Sequence, residues 1–301
     1  MTERAVSAGT TARFGRTQQR MPGKLIICPT PIGNLGDMPP RALEALREAD
    51  VVCAEDTRVT GKLLAALGVE GKRLERLDEN VIGQRAASIV ERVQAGETIA
   101  YCSDAGMPGV SDPGLRLVQA AREADAPVEV LPGPTAAATA YVASGCTSPT
   151  FYFGGFFPKK DAARQALLES LRALDAALIF YESPNRLISA LKSIEAVFPA
   201  RTLAVCRELT KLHEEVLRGL ACEVRNELEA RSSVKGEIVI VIDPADRAEK
   251  EADASRALDI AAERAAALAA QGARPKQIAR QLADEFGISR NEAYSLALES
   301  R

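Results

Sequence analysis

The stretch Leu25-Ile26-Ile27-Cys28-Pro29-Thr30-Pro31-Ile32-Gly33-Asn34 decides the fold. Four apolar residues are too few for a buried helix but enough for a strand, and a stiff Pro/Gly loop closes it. The same unit recurs along the chain. Val51–Ala54 runs into Glu55-Asp56-Thr57-Arg58, Thr98–Cys102 into Ser103-Asp104-Ala105-Gly106-Met107-Pro108-Gly109, and Val128–Leu131 into Pro132-Gly133-Pro134-Thr135. Helical stretches fit between them at Arg41–Ala49, Lys62–Leu67, Gly83–Gln94 and Gly114–Ala124. Short apolar strands alternating with helices predict a parallel sheet covered on both faces.

Farther along, strands are expected at Phe151–Phe153, Ala177–Tyr181, Thr202–Cys206, Glu215–Arg218 and Glu237–Ile242. Helices fit Ala162–Leu174, Arg186–Val197 and Ala221–Arg231, giving a second α/β domain with a mixed sheet. After Asp243-Pro244 the chain turns alanine-rich. Ala254–Ala270, Pro275–Phe286 and Ser289–Leu298 read as helices, the last two resembling a helix-turn-helix around Gly287-Ile288. The expected organisation is a disordered tail over residues 1–23, α/β domains over 24–148 and 149–243, and a helical appendage over 244–301.

Composition removes several function classes. The chain has 301 residues, 47% apolar and 26% charged, and none of its apolar runs reaches the ~18 residues of a membrane span, so no membrane partner is expected. A single histidine, His213, excludes any metal centre that needs two imidazoles. The six cysteines lack CxxC spacing, and four end apolar runs as small hydrophobes do, which suits a reducing cytoplasm. Net charge is −3 overall, with the surplus of acid between residues 24 and 246, so any nucleic-acid contact has to come from local basic patches.

Ligands of open parallel sheets bind beyond the strand carboxyl ends, where all four loops fall, three of them rich in Pro and Gly. Neither GxxxxGK[ST] nor GxGxxG follows the first strand, so ATP and NAD lack their fingerprints. The first loop also lacks lysine and arginine, which suits a neutral or cationic ligand such as a sulfonium-bearing adenosyl cofactor.

These loops resemble those of the tetrapyrrole-methylase superfamily. Within it they are similar to the branch acting on small-subunit ribosomal RNA. Further motifs agree: Gly155-Phe156-Phe157-Pro158-Lys159, Phe180-Tyr181-Glu182-Ser183-Pro184-Asn185-Arg186, Arg207-Glu208-Leu209-Thr210-Lys211 and Lys235-Gly236-Glu237. Two departures stand out. Leu77-Asp78-Glu79-Asn80 lacks the histidines common there, and Met107 replaces a threonine. The resemblance implies two α/β domains with a cleft between them, a homodimer, and S-adenosylmethionine as cofactor. It implies 2′-O-methylation of a cytidine in the decoding region of 16S rRNA, in the small ribosomal subunit. By matching, Pro31, Gly33, Ser103, Asp104, Ala105, Gly106, Gly133 and Pro134 fall at the cofactor, with Gly236 approaching from the second domain.

Methyl transfer to a ribose hydroxyl is an in-line displacement, so a base near the acceptor helps but alignment dominates. Glu182 and Glu208 are the candidate bases, with Arg186 and Arg207 as partners. Each pair reads equally as a structural carboxylate–arginine contact. Lys159, Lys160 and Arg164 form a basic patch for RNA, with Arg58 and Arg186 as further phosphate contacts. Two alternatives stay open: a tetrapyrrole or diphthine methylase of the same fold, and a non-enzymatic helix-turn-helix sensor that binds nucleic acid.

Overall fold

Five short strands build the first sheet: β1 (Leu25–Ile27), β2 (Val51–Ala54), β3 (Arg73–Arg76), β4 (Ile99–Cys102) and β5 (Val128–Val130). The computed structural model describes residues 23–300, so the expected tail lies, apart from Gly23, outside the described residues. All pairings in this sheet are parallel, in the order β3-β2-β4-β1-β5. The connecting helices are α1 (Pro40–Glu48), α2 (Thr57–Ala66), α3 (Glu79–Gln94) and α4 (Gly114–Glu123).

Strand alternation sorts the core into two layers. Ile26, Cys28, Val52, Ala100 and Cys102 pack against α1 and α2. Leu25, Ile27, Val51, Cys53, Ile99 and Tyr101 pack against α3 and α4. Both faces are therefore covered, which is why these strands read as unbroken apolar runs. Strand β3 escapes that reading because Arg73-Leu74-Glu75-Arg76 is mostly charged. It is an edge strand, and charge there discourages pairing with another chain. Its Glu75 carboxylate is ringed by Arg73, Arg85 and Arg92.

The second unit opens with α5 (Ala136–Ala143), followed by β6 (Phe151–Phe156), α6 (Asp161–Ser170), β7 (Ala177–Glu182) and α7 (Pro184–Val197). Then come β8 (Thr202–Arg207), β9 (Glu215–Leu220), α8 (Ala221–Glu229) and β10 (Ile238–Ile242). Its sheet has the order β6-β7-β10-β8-β9, with only β6 and β7 parallel. Helices α6, α7 and α8 close one face over Phe157, Phe180, Leu203, Val205 and Ile240. Helix α5 packs on β7 and β10, and the Cys206 thiol reaches the Ala140 carbonyl at 3.7 Å. The compact units accordingly divide between Thr135 and Ala136. That is earlier than the expected boundary at 148/149, because the Gly/Ser/Pro cluster there is a loop inside the second unit.

The chain ends in α9 (Arg247–Ala270), α10 (Pro275–Phe286) and α11 (Arg290–Glu299). These helices have a core of their own, made by Ala261, Ala265, Leu268, Ile278, Leu282, Ala293 and Ala297. Gly287, in the left-handed region at φ 66°, ends α10, and Ser289 with Glu292 forms the capping box that starts α11. The first turns of α9 are tied to the α/β body through Arg201. That guanidinium is sealed from solvent, stacks 3.8 Å over the Phe198 ring and holds Glu249 at 2.9 Å. Among the described residues no helix is long and apolar enough to cross a membrane.

Candidate active site

In the first unit, α1 and α4 leave adjacent strands β1 and β4 toward opposite faces, which opens a crevice at their carboxyl ends. The two loops are stitched across it. Thr30 and Gly106 exchange backbone hydrogen bonds, 2.9 Å from Thr30 N to Gly106 O and 3.1 Å in return. Gly106 sits at φ 80°, and a Cβ there would press on Ile32 at 3.1 Å. The loop after β5 closes on the first one: a Cβ at Gly133 would fall 2.3 Å from the Pro29 ring. Three of the four expected loops thus interlock, with Gly106 and Gly133 at their closest approaches.

The predicted cofactor residues divide by exposure. Gly33, Asp104 and Ala105 face solvent, with Pro31, Gly133 and Pro134 half-buried. Ser103 and Gly106 are buried and shape the turn, the Ser103 hydroxyl donating weakly to the Ala105 and Gly106 carbonyls. Asp104 accepts a hydrogen bond from the Asp56 amide at 2.9 Å, joining the β4 loop to the β2 loop. Asp56 itself caps α2 and holds the exposed Arg58. Burial first, then repulsion from neighbouring carboxylates, raises the pKa values of Glu55 and Asp104 from their ordinary carboxylate values. Such a rim disfavours anions and lowers its own energy by taking up a positive charge. A sulfonium-bearing adenosyl group fits it. The Thr30 hydroxyl, buried and unpartnered beside the bridge, leaves one polar atom for a ligand or water.

In the second unit, register gathers most of the other candidates at one end of the sheet. Ile238, at the start of β10, pairs with Glu182 at the end of β7 and with Arg207 at the end of β8. Lys159 and Lys160 follow the parallel strand β6 at the same end, both exposed. Gly236 stands there too, at φ 99°, and a Cβ on it would lie 2.5 Å from the Glu208 side chain. Its glycine is required by that contact and that backbone angle alone.

Two expectations are corrected. Arg164 is no RNA contact: it is 2% exposed, and its guanidinium is spent on Ser193 at 2.8 Å, Ser189, Asp161 and the carbonyls of Pro158 and Lys159. It welds α6 to α7. The Glu182 side chain is sealed from solvent, so in this conformation it cannot meet a ribose hydroxyl directly. Its Oε1 accepts from the Ser183 amide at 2.6 Å and pairs with Arg186 at 2.6 Å, while Oε2 is unpartnered. Glu182 orients Arg186, whose other nitrogens reach Ser183 Oγ and the Phe157 carbonyl.

Glu208 Oε1 accepts from Lys211 Nζ at 2.8 Å and from the Glu237 amide at 2.9 Å. The ammonium beside it lowers its pKa, which keeps it ionised and weakens it as a base. Arg207 donates to Glu215 at 3.0 Å and to the Lys235 carbonyl. Glu215, also forked by Arg231, is pulled down to about 2. No sequence pattern marked Arg231 as a brace of this end, because its pairing with Glu215 is set by how the chain returns after α8.

A family model described as tetrapyrrole (corrin/porphyrin) methylases matches residues 24–225. Ribosomal RNA small subunit methyltransferase I of Micromonospora olivasterospora is 41% identical over 90% of this chain and 85% of its own. The protein of that name from Synechocystis is 40% identical over 92% of this chain and 98% of its own. Among solved structures, a diphthine synthase superposes with a TM-score of 0.58 at 14% identity, over 73% of this chain and 90% of that one. The methyltransferase CobJ does so with a TM-score of 0.57 at 20% identity, over 74% and 95%. These last two likenesses show the fold. With loops, register and relatives in agreement, the chain belongs to the tetrapyrrole methylase family and, within it, to the group named ribosomal RNA small subunit methyltransferase I.

Proposed function

We propose that this protein is a cytoplasmic, homodimeric enzyme that methylates the 2′-hydroxyl of a cytidine in the decoding region of 16S rRNA, in the small ribosomal subunit, using S-adenosylmethionine. The observation that carries the reading is the interlocked, acid-lined rim of the first sheet, in a chain whose relatives bear that name over most of their length. S-adenosylmethionine supplies a methyl carbon already activated by its sulfonium. Pro31, Gly33, Asp104, Ala105 and the Gly133-Pro134 turn hold it, and Ser103 and Gly106 keep those loops in shape.

The remaining work is alignment of the acceptor. Lys159, Lys160, Arg58 and Arg186 meet RNA phosphates, and Glu182 fixes the angle of the Arg186 guanidinium. Arg207 and Glu208 brace the loop between β8 and β9. None of these groups has to be a strong base.

The decisive experiment incubates the protein with methyl-labelled S-adenosylmethionine and small ribosomal subunits from cells lacking this modification. Label in rRNA, mapped to a 2′-O-methyl cytidine, is the expected result. RNA binding without transfer would instead favour the sensor reading, and label on a tetrapyrrole or on a histidine-bearing protein would favour the alternative methylases.

A further inference from the structure

The loop joining β8 to β9 is strained and over-braced. Glu208 at φ 52° and Thr210 at φ 66° occupy the left-handed region without being glycine, and a β-branched residue there is an outlier. Non-glycine residues persist in that region only where their surroundings hold them, and such sites concentrate at functional positions. The surroundings here are explicit. Glu208 N donates to the Glu237 carbonyl at 2.9 Å, and Lys211 N donates to the Glu208 carbonyl at 3.0 Å. Lys211 Nζ bridges Glu208 and Glu237, and the Thr210 amide donates to Glu214 at 2.6 Å. At the tip of this rigid frame stands Leu212, 92% exposed and the most exposed large apolar side chain among the described residues.

We propose that Leu212 is a substrate-positioning wedge that packs between bases of the RNA substrate, prising one base step apart. Inserted apolar side chains unstack neighbouring bases at a cost that wider contacts repay. A mobile leucine would lose that energy to ordering, and the strained loop removes the loss in advance. The inference rests on the proposed function.

RNA fits better than a second copy of the chain. The exposed cations Lys159, Lys160 and Lys235 share this end of the sheet, and His213 flanks the tip. Leu212 is also solitary. The other exposed apolar side chain at this end, Phe156, belongs to β6, three strand positions from β8, about 14 Å away. A subunit interface needs a contiguous apolar patch.

The test compares the unsubstituted protein with Leu212→Ala and Leu212→Phe in methylation of unmodified small subunits. Leu212→Ala is expected to lower kcat/KM for the subunit about tenfold, with S-adenosylmethionine affinity unchanged and Leu212→Phe restoring most of the loss. A 2-aminopurine moved stepwise through the rRNA segment around the target nucleotide should brighten at one position on binding the unsubstituted protein and stay dim there with Leu212→Ala. Full transfer by the unsubstituted protein with unchanged Leu212→Ala kinetics and fluorescence overturns this inference alone. Altered sedimentation of Leu212→Ala overturns it in favour of a subunit contact. Absence of transfer by the unsubstituted protein overturns the proposed function and this inference with it.

Discussion

Gly133 shows how little room the rim of the first sheet leaves. Alanine there would set a carbon 2.3 Å from Pro29, so one of two stiff loops has to move. Gly133→Ala is expected to cost about 1–3 kcal/mol in denaturant unfolding and to abolish donor binding by calorimetry. Unchanged values on both counts would refute the interlocked rim. Asp104 and Glu55 supply a pH signature. Their pKa values are higher in the folded than in the unfolded chain, so the folded state keeps its protons longer. Their contribution to stability is full below the ordinary carboxylate range and is lost as pH rises through the raised values. A bound cation reverses the preference. Affinity for S-adenosylmethionine should therefore rise from acid to neutral pH, whereas affinity for the uncharged thioether S-adenosylhomocysteine should not. Asp104→Asn, at an exposed position, should weaken only the former, by about two- to fivefold. Residue types at this rim were legible in sequence because proline and glycine advertise turns. The burial of Arg164 and Glu182 was not, since an arginine or glutamate looks the same in water or in a core until its partners are placed.

At the scale of elements, the attachment of α9 depends on one sealed cation. Arg201 stacks on Phe198 and pairs with Glu249, while Arg172 adds longer contacts to Glu249 and Asp253. Removing one partner of a buried pair leaves the other charge without compensation. Glu249→Ala should destabilise the second unit by about 3–5 kcal/mol and free the amides of the first turns of α9 to exchange. Pairing Arg201→Met with Glu249→Leu should recover most of that loss. Retained amide protection in Glu249→Ala would argue that α9 is held by packing alone. The sequence reading starts this helix at Ala254, because residues 247–253 are dominated by charge and carry no apolar stripe. Helix α5 escapes the reading for the opposite reason: its residues are almost all small and apolar, so no amphipathic period shows, although only Ala137 and Ala140 are buried. The apolar central strands, by contrast, were legible nearly residue for residue.

For the whole molecule, the separate core of α9–α11 invites truncation, and the ion pairs say where to cut. A chain ended after Asp253 keeps Glu249 and Asp253 for Arg201 and Arg172, whereas one ended after Asp243 would strip the buried Arg201 of its carboxylate and leave Arg172 with Glu169 alone. The chain ended after Asp253 should retain donor affinity and thermal stability of the α/β body while raising KM for the small subunit severalfold. An unchanged KM would exclude the helices from substrate binding. The order of the first sheet has a consequence for biosynthesis. Strand β1 lies at its interior, yet its neighbours begin at Ile99 and Val128, so Leu25 waits for about 75 residues of translation before one side is paired and about a hundred before both are. At ordinary elongation rates that is about 5–20 seconds in which a bare apolar segment sits outside the exit tunnel. Nascent chains of this protein should be clients of ribosome-associated chaperones until Val130 has emerged.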